Sequence, residues 1–562
     1  MDDRSQTIVI LGAGINGCAL ARELALNGQS VVLVDTADIA SGTTSYSSRL
    51  IHGGLRYLEY GDFALVRESL AERGRLLRLA PQFVQPLELF VPIRARASGI
   101  WQSALRFFGH DAPPAAHGRG LWLVHLGLIL YDLYARDPSL PKHRIHPVST
   151  SSADSGGPPV NPREYHWLAS YYDAQVTYPE RLALALLSDA CQAATEHSAR
   201  VEVFTYHEAR LDAGRVSIAP VGGAQPVIAP FVPAAIVNAT GAWVDDTLRR
   251  LSIPCERLMG GTKGSHFITP HAELAAALAG RAIYAEAHDG RPVFILPWAG
   301  QTLVGTTDEA YAGDPGSAVA SPAELDYLLQ AVRHVFPQFP LTRADVALSY
   351  AGVRPLAHVD AQSSGTAPAG ITREHFFKRH PNTSPPVYSI VGGKLTTSRS
   401  LGEEAADTLL VELGRAVTAN SQNRPLPGAE NWPHTAAEAN RARGQIAQHS
   451  GLPATAIEHL WQLCGTRTAA ILASAENPAE CVRGTDLPLA FVRHAIEQEW
   501  ATRLADLVER RLMLLYRPLT RETLEHLAEL LVAADRLPAA EAPAEVARTI
   551  DRLRDHFGKQ VA

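Results

Sequence analysis

Two rhythms of apolar and polar positions run along the chain. Residues 7–11 (TIVIL) are a short β-rich apolar run, residues 15–27 have helical spacing closed by Gly28, and residues 31–34 (VVLV) are a second apolar run. That succession predicts a β-α-β unit opening a parallel sheet. Residues 68–79 predict a helix that stops before Pro81, and residues 181–196, rich in Ala and Leu, predict another. Residues 234–238 read as a buried strand ending at Ala239-Thr240-Gly241. Residues 387–391 read as a further strand, followed by Gly392-Gly393 and a helix from about Thr397. Residues 291–298 and 302–306 flank Ala299-Gly300-Gln301 and predict a hairpin, which puts antiparallel structure in the middle of the chain. Residues 149–162 read as a long loop, and 414–434 as a polar, Pro-rich linker. Beyond the linker helical periodicity is almost continuous, with Trp461 and Trp500 as expected core anchors. The longest apolar segment, 121–134 (LWLVHLGLILYDLY), is broken by His125 and Asp132. It falls short of the roughly 18 residues of a spanning helix.

Composition narrows the class. The 562 residues are enough for roughly three to four domains of about 150 residues. A hydrophobic content of 46% excludes wholesale disorder. A net charge of -7 supplies no global positive field for nucleic acid. The five cysteines form no C-x-x-C, so neither a disulfide framework nor a metal site is expected, and a reducing compartment fits. The acidic, glycine-punctuated N-terminus does not read as a signal peptide. Of the 51 Lys and Arg residues only five are Lys: Lys142, Lys263, Lys378, Lys394 and Lys559. A lysine retained where arginine serves nearly everywhere else points to a need for a compact ammonium.

The first candidate chemistry lies at Gly12-Ala13-Gly14-Ile15-Asn16-Gly17. This G-x-G-x-x-G follows a strand, opens a helix, and precedes an acidic residue, Asp35, at the end of the next strand. In that setting Gly12, Gly14 and Gly17 allow a tight turn against a pyrophosphate, and Asp35 accepts from a ribose. The small-residue loop 39–45, with Thr44 and Ser45, suits an extended cofactor better than the helix of a simple NAD enzyme.

Further along stand SSRLIHGGLRYLE, NATGAW, TKGSHF, ILPW with GTTD, SYAGVRPL, GITREH and GGKLTTSR, in that order. With these the chain resembles the FAD-dependent glycerol-3-phosphate dehydrogenases of respiratory type, within the glycine/D-amino-acid oxidase-like flavoproteins. Arg49 stands where that family often has Lys, Asp35 where Glu is common, and Thr262 where an aliphatic residue is frequent. The resemblance implies FAD as cofactor and oxidation of sn-glycerol 3-phosphate to dihydroxyacetone phosphate, with electrons passing to a membrane quinone. The expected fold is α/β plus α+β. A discontinuous Rossmann-like FAD-binding domain (about 1–80, 165–250, 350–413) comes with an antiparallel-sheet substrate domain (81–164, 251–349) and an all-α domain at 435–562.

The resemblance also distributes roles. Arg354 and Arg373 match phosphate-binding arginines, and Arg56 and Tyr57 line the substrate pocket. His52 is the first candidate for the base that removes the carbinol proton, and His266 the second. Lys263 is expected at the reactive edge of the flavin, and Lys394 at the flavin or the phosphate. Gly241, Gly393, Leu395 and Thr396 are expected against the cofactor. Asp173 and Asp308 are expected to make structural hydrogen bonds. A quinone acceptor implies peripheral contact with the cytoplasmic face of an inner membrane, through 121–134 and its neighbours Arg106, Arg119 and Arg136. A homodimer is compatible with the sequence. The rivals are a glycerol-3-phosphate oxidase using oxygen, an amine or amino-acid oxidase, and a redox-inert FAD-binding structural or sensor protein.

Overall fold

A computed structural model describes residues 4–60, 62–96, 120–135, 139–148, 156–358 and 375–562. The apolar runs at 7–11, 31–34, 234–238 and 387–391 become strands of one sheet. Its order is Phe376–His380, Val387–Val391, Ala235–Asn238, Ile8–Leu11, Val31–Asp35, Val201–Thr205. All but the first, an antiparallel edge, run parallel. These strands read as unbroken apolar runs because both sheet faces are covered. Helices Ile15–Leu26, Pro179–Glu196 and Ser398–Glu412 pack on one face, and a meander of His207–Asp212, Arg215–Pro220 and Ile228–Phe231 covers the other. From Ile8–Leu11 the chain builds outward first on one side and then on the other. The crevice beyond the strands' carboxyl ends, where the direction reverses, is where such sheets take ligands.

The second sheet is mostly antiparallel and has ten strands. At its centre lies the expected hairpin, Pro292–Trp298 with Gln301–Gly305. It turns on Ala299 and Gly300, both with positive φ (47° and 77°), as a two-residue turn matched to strand twist requires. Trp167–Val176 and Leu348–Ala357, which fall at the expected domain boundaries near 165 and 350, both pair into this sheet.

The regular elements of 435–562 are all helices, joined by loops, with one isolated bridge, Cys481 to Pro488. This domain has no separate core. Its Leu460, Phe491, Leu527 and Tyr516 share one apolar cluster with Trp298 and Leu89 of the second sheet and with Tyr178, which caps helix Pro179–Glu196. Trp461 is buried as expected, whereas Trp500 is half-buried and packs against the first domain. Residues 414–434 do not behave as a free tether. Thr418 and Ala419 donate their N–H groups to Asn27 Oδ1, Ser421 N–H donates to Glu23, Arg424 pairs with Asp189 and Glu196, and Leu426 is buried.

Charges join the helical domain to the loop that follows Asp35. Asp38, 1% exposed, accepts from Arg510 and from both terminal nitrogens of Arg511 (2.6 and 2.7 Å). A π-helical turn, Leu507–Arg511, brings the two adjacent arginines onto one carboxylate. Arg49, fully buried, pairs with Glu180 at 2.8 Å and donates to Tyr516 Oη at 2.6 Å. The helical domain therefore grips residues 38–49 at both ends.

Candidate functional site

A cavity of about 640 Å³ opens at the switch point. Gly12 ends Ile8–Leu11 with φ +102°, and a Cβ there would lie 2.7 Å from Ala239 O. A Cβ on Gly17 would lie 1.9 Å from Gly12 O, so this third glycine serves turn-to-helix packing and does not line the cavity. Helix Ile15–Leu26 starts at Gly14 with no side-chain cap and no acidic residue in its first turn. Its free amides and dipole suit a phosphate group. Thr44 Oγ1 accepts from Ile15 N–H at 3.1 Å. Asp35 accepts from Ala13 N–H (2.7 Å) and Ala37 N–H (2.8 Å). Burial raises its carboxyl above the usual range, opposed by those two amides. About two of its four lone-pair sites remain for a ribose. Gly241, with φ +59°, has nothing within 4 Å of its Cβ position and faces open cavity. Asn16 Oδ1 lines the cavity, buried and without a hydrogen-bond partner. A dinucleotide fits this set: an anion end, a ribose acceptor, and an orphaned polar atom awaiting a ligand. Ser45 does not take part as expected. Its hydroxyl donates to Ala40 O at 2.5 Å and it lines neither cavity, because it points back into the loop.

A second cavity, of about 260 Å³, meets the first at Thr43, Ser47, Pro355, Gly393, Lys394 and Leu395. Its floor is the second sheet. His52, Tyr57, His266, Arg354, Lys394 and Thr396 all line it. Thr396 reaches this cavity and not the dinucleotide cavity, and its Oγ1 accepts from His52 N–H at 3.1 Å. Lys394 Nζ lies 3.9 Å from the centre of the Tyr57 ring. Arg354 donates to Thr262 Oγ1 (3.2 Å), Asp308 Oδ1 (2.8 Å), Thr306 Oγ1 (2.9 Å) and Thr307 O (2.9 Å). All four terminal N–H groups are thus accepted by protein, and a bidentate phosphate contact requires exchange of at least one of them.

His266 is 3% exposed, stacks on Tyr350 (5.0 Å, 22°), and sits 2.9 Å from Ser48 Oγ through Nε2. Burial, with the Arg354 and Arg49 guanidiniums, pushes its pKa down to about 3. It stays neutral at working pH and is a poor proton acceptor. Lys263, expected at the reactive edge, lines neither cavity. Successive strand residues point to opposite faces, so Gly264 and His266 line the second cavity and Lys263 faces away, toward Glu324 at 2.8 Å. Asp173 accepts from Gly53 N–H, Tyr131 Oη and Arg73, a structural cluster at the cavity edge. The side chain of Arg56, all of Arg373, and Arg106, Arg119 and Arg136 lie outside the described residues.

Sequence reasoning missed Ser48, Tyr350 and the stacked pair Tyr284–Phe294 (4.8 Å, 15°) that lines the far end of the cavity. The alternation of residues 349–356 and 292–298 could have placed the ring positions on one face. Nothing local reports that Ser48 meets His266. No group of three or more His, Cys, Asp or Glu among the described residues could hold a metal.

Residues 7–408 match the family described as FAD dependent oxidoreductase, and 419–537 the C-terminal domain of alpha-glycerophosphate oxidase. The chain is 37% identical over 537 residues to a glycerol-3-phosphate dehydrogenase of Synechocystis sp., covering 90% of this chain and 88% of that protein. It is 33% identical to the D-erythritol 1-phosphate dehydrogenase of Brucella abortus, with coverage of 90% and 93%. Among solved structures, the glycerol-3-phosphate dehydrogenase from Bacillus halodurans complexed with FAD superposes with a TM-score of 0.71 at 22% identity. The superposition covers 99% of this chain and 95% of that one.

Proposed function

The chain belongs to the FAD-dependent glycerol-3-phosphate dehydrogenase family, and from that premise we propose that it oxidises sn-glycerol 3-phosphate to dihydroxyacetone phosphate and delivers the electrons to a membrane quinone. The observation that carries this reading is one cavity holding both Arg354 and Lys394 and a half-buried imidazole, His52, and merging with the dinucleotide cavity. FAD, when bound, supplies a two-electron acceptor for the hydrogen on the substrate's C2. The chain's residues do the rest. Arg354 and Lys394 hold the dianionic phosphate. His52 takes the C2 hydroxyl proton, and its partial exposure lets it return that proton to solvent. Neutral His266, oriented by Ser48 and Tyr350, offers a hydrogen bond without competing for the proton. Asp35, Gly12, Gly14, Thr44 and Gly241 seat the cofactor's ribose and pyrophosphate.

Arg354→Ala tests the assignment of the phosphate. A hydrogen bond to a charged group contributes about 1.5–3 kcal/mol, so KM for glycerol 3-phosphate should rise about 10- to 150-fold, read from steady-state kinetics with a soluble dye. An unchanged KM removes Arg354 from the phosphate.

A second reading, a longer polyol phosphate as substrate, is favoured by the cavity's length. From the strand of Arg354 to the strand of Tyr284 it crosses four strand spacings, about 19 Å in all. The ratio of kcat/KM for glycerol 3-phosphate and erythritol 1-phosphate decides between them. A ratio well above one supports the three-carbon substrate.

The acceptor is proposed from a surface. Helix Leu121–Ala135 buries Val124, Leu128 and Tyr131 but exposes Trp122 (61%), Leu126 (57%) and Leu133 (63%) on its other side. No helix among the described residues is long and apolar enough to cross a membrane. This face suits the headgroup boundary of a bilayer, where a quinone is reached. Trp122→Glu with Leu133→Glu should reduce co-sedimentation with anionic liposomes by at least about tenfold while dye reduction persists. Undiminished sedimentation moves the contact elsewhere. Quinone-analogue reduction without peroxide release supports the dehydrogenase, and peroxide release in air supports the oxidase.

A further inference from the structure

Behind the cavity floor lies a buried polar cluster with no part in the reaction as described. Glu324, 1% exposed, is the capping-box acid of helix Pro322–Val335. It accepts from Lys263 Nζ (2.8 Å), Ser265 Oγ (2.7 Å), Thr307 Oγ1 (2.7 Å) and Ser321 N–H (2.9 Å). Lys263 Nζ also donates to Val319 O at 3.0 Å. A carboxylate this buried needs a cation and a full set of donors to stay charged. Burial opposes its ionisation, but the Lys263 ammonium and the Ser321, Ser265 and Thr307 donors win and hold its pKa at about 2.

An ionised carboxylate only accepts. The Thr307 hydroxyl must therefore donate to Glu324, and its remaining lone pairs take the Ser265 N–H at 2.9 Å. That fixes Thr307 from behind. In front, the Thr307 carbonyl and the neighbouring Thr306 hydroxyl each accept from Arg354 at 2.9 Å. One short segment thus carries the buried ion pair on one face of the sheet and the guanidinium on the other.

We infer that Lys263, Glu324 and Thr307 are positioning residues that hold the Arg354 guanidinium ready for the substrate's phosphate. The inference rests on the assignment of Arg354 to that phosphate. It also gives the scarce lysine a place: a compact ammonium fits between Val319 O and Glu324 in a site with 8% exposure at Lys263.

The test uses holoenzyme carrying Glu324→Gln, Thr307→Val, Thr307→Ser or Arg354→Ala. KM and kcat are read together with the Kd of inorganic phosphate by calorimetry, which needs no turnover. Glu324→Gln and Thr307→Val should raise KM and the phosphate Kd together, by about five- to twentyfold, with kcat within about twofold. Thr307→Ser, which keeps the hydroxyl, should restore both. Thr307→Val disturbs no charge, so it keeps the test alive where Glu324→Gln fails to fold. If Arg354→Ala raises both constants and well-folded Thr307→Val raises neither, the relay is wrong although Arg354 stands. If Arg354→Ala raises neither, the assignment of Arg354 falls and the relay with it. A loss of kcat at unchanged KM in Thr307→Val or Glu324→Gln would place the cluster's effect on the cofactor, also against the inference.

Discussion

His52→Gln is expected to lower kcat by about 10²- to 10⁴-fold and to leave KM within about threefold, as loss of a general base requires. Among the described residues His52 is the one partly exposed histidine of the cavity, with its backbone fixed by Thr396. The pH profile separates it from His266. With His266 pushed down to about 3, no titration of that ring occurs between pH 5 and 9. Any acid limb of kcat in that range therefore survives His266→Gln. The sign for stability is equally definite. The folded pKa of His266 lies below its unfolded value, so its contribution is complete above about 6.5 and is lost as pH falls toward 3. The drop in thermal midpoint from pH 7 to pH 4 should shrink in His266→Gln.

Asp38→Asn should cost about 3–5 kcal/mol, the usual penalty for breaking one side of a buried ion pair. Burial alone would raise the Asp38 carboxyl, but the guanidiniums of Arg511 and Arg510 outweigh it and hold the pKa at about 2. The neutral amide takes the carboxylate from Arg511 at the junction of two domains, while Arg510 keeps Glu509 (2.8 Å) and Asp506 (3.2 Å). Because residues 38–49 include Thr43 and Ser47 of both cavities and Thr44 of the dinucleotide cavity, the same change should loosen the cofactor. Chemical denaturation gives the energy, and flavin fluorescence released on dilution gives the retention. In the wild type this contribution is present above about pH 3.8 and is lost as pH falls through about 2. Unchanged stability in Asp38→Asn would mean that the helical domain does not depend on this clamp.

What could be read from the sequence was what is local. The turn at Gly12 and the Ala299-Gly300 turn each carry a backbone requirement within a few residues and fold as expected, whereas Gly17 packs the turn and lines neither cavity. Lys263 shows where that logic fails. Its motif was informative, but a strand gives neighbouring residues opposite faces, and only the register against Leu348–Ala357 decides which face is the floor. Residues 414–434 have a linker's composition, yet Ser421 and Leu426 are buried against partners hundreds of positions away. The clamp between Asp38 and Arg510–Arg511 spans 472 and 473 positions. No pattern of charge along one segment announces such a pairing.

Loaded with FAD, this chain is expected to oxidise glycerol 3-phosphate. Anaerobic titration of the holoprotein with sn-glycerol 3-phosphate tests it most directly, with dithionite as a control that the flavin can be reduced. The oxidised-flavin absorbance should bleach with the phosphorylated substrate and persist with glycerol. Persistent absorbance under excess glycerol 3-phosphate, in a protein whose flavin dithionite bleaches, would contradict it.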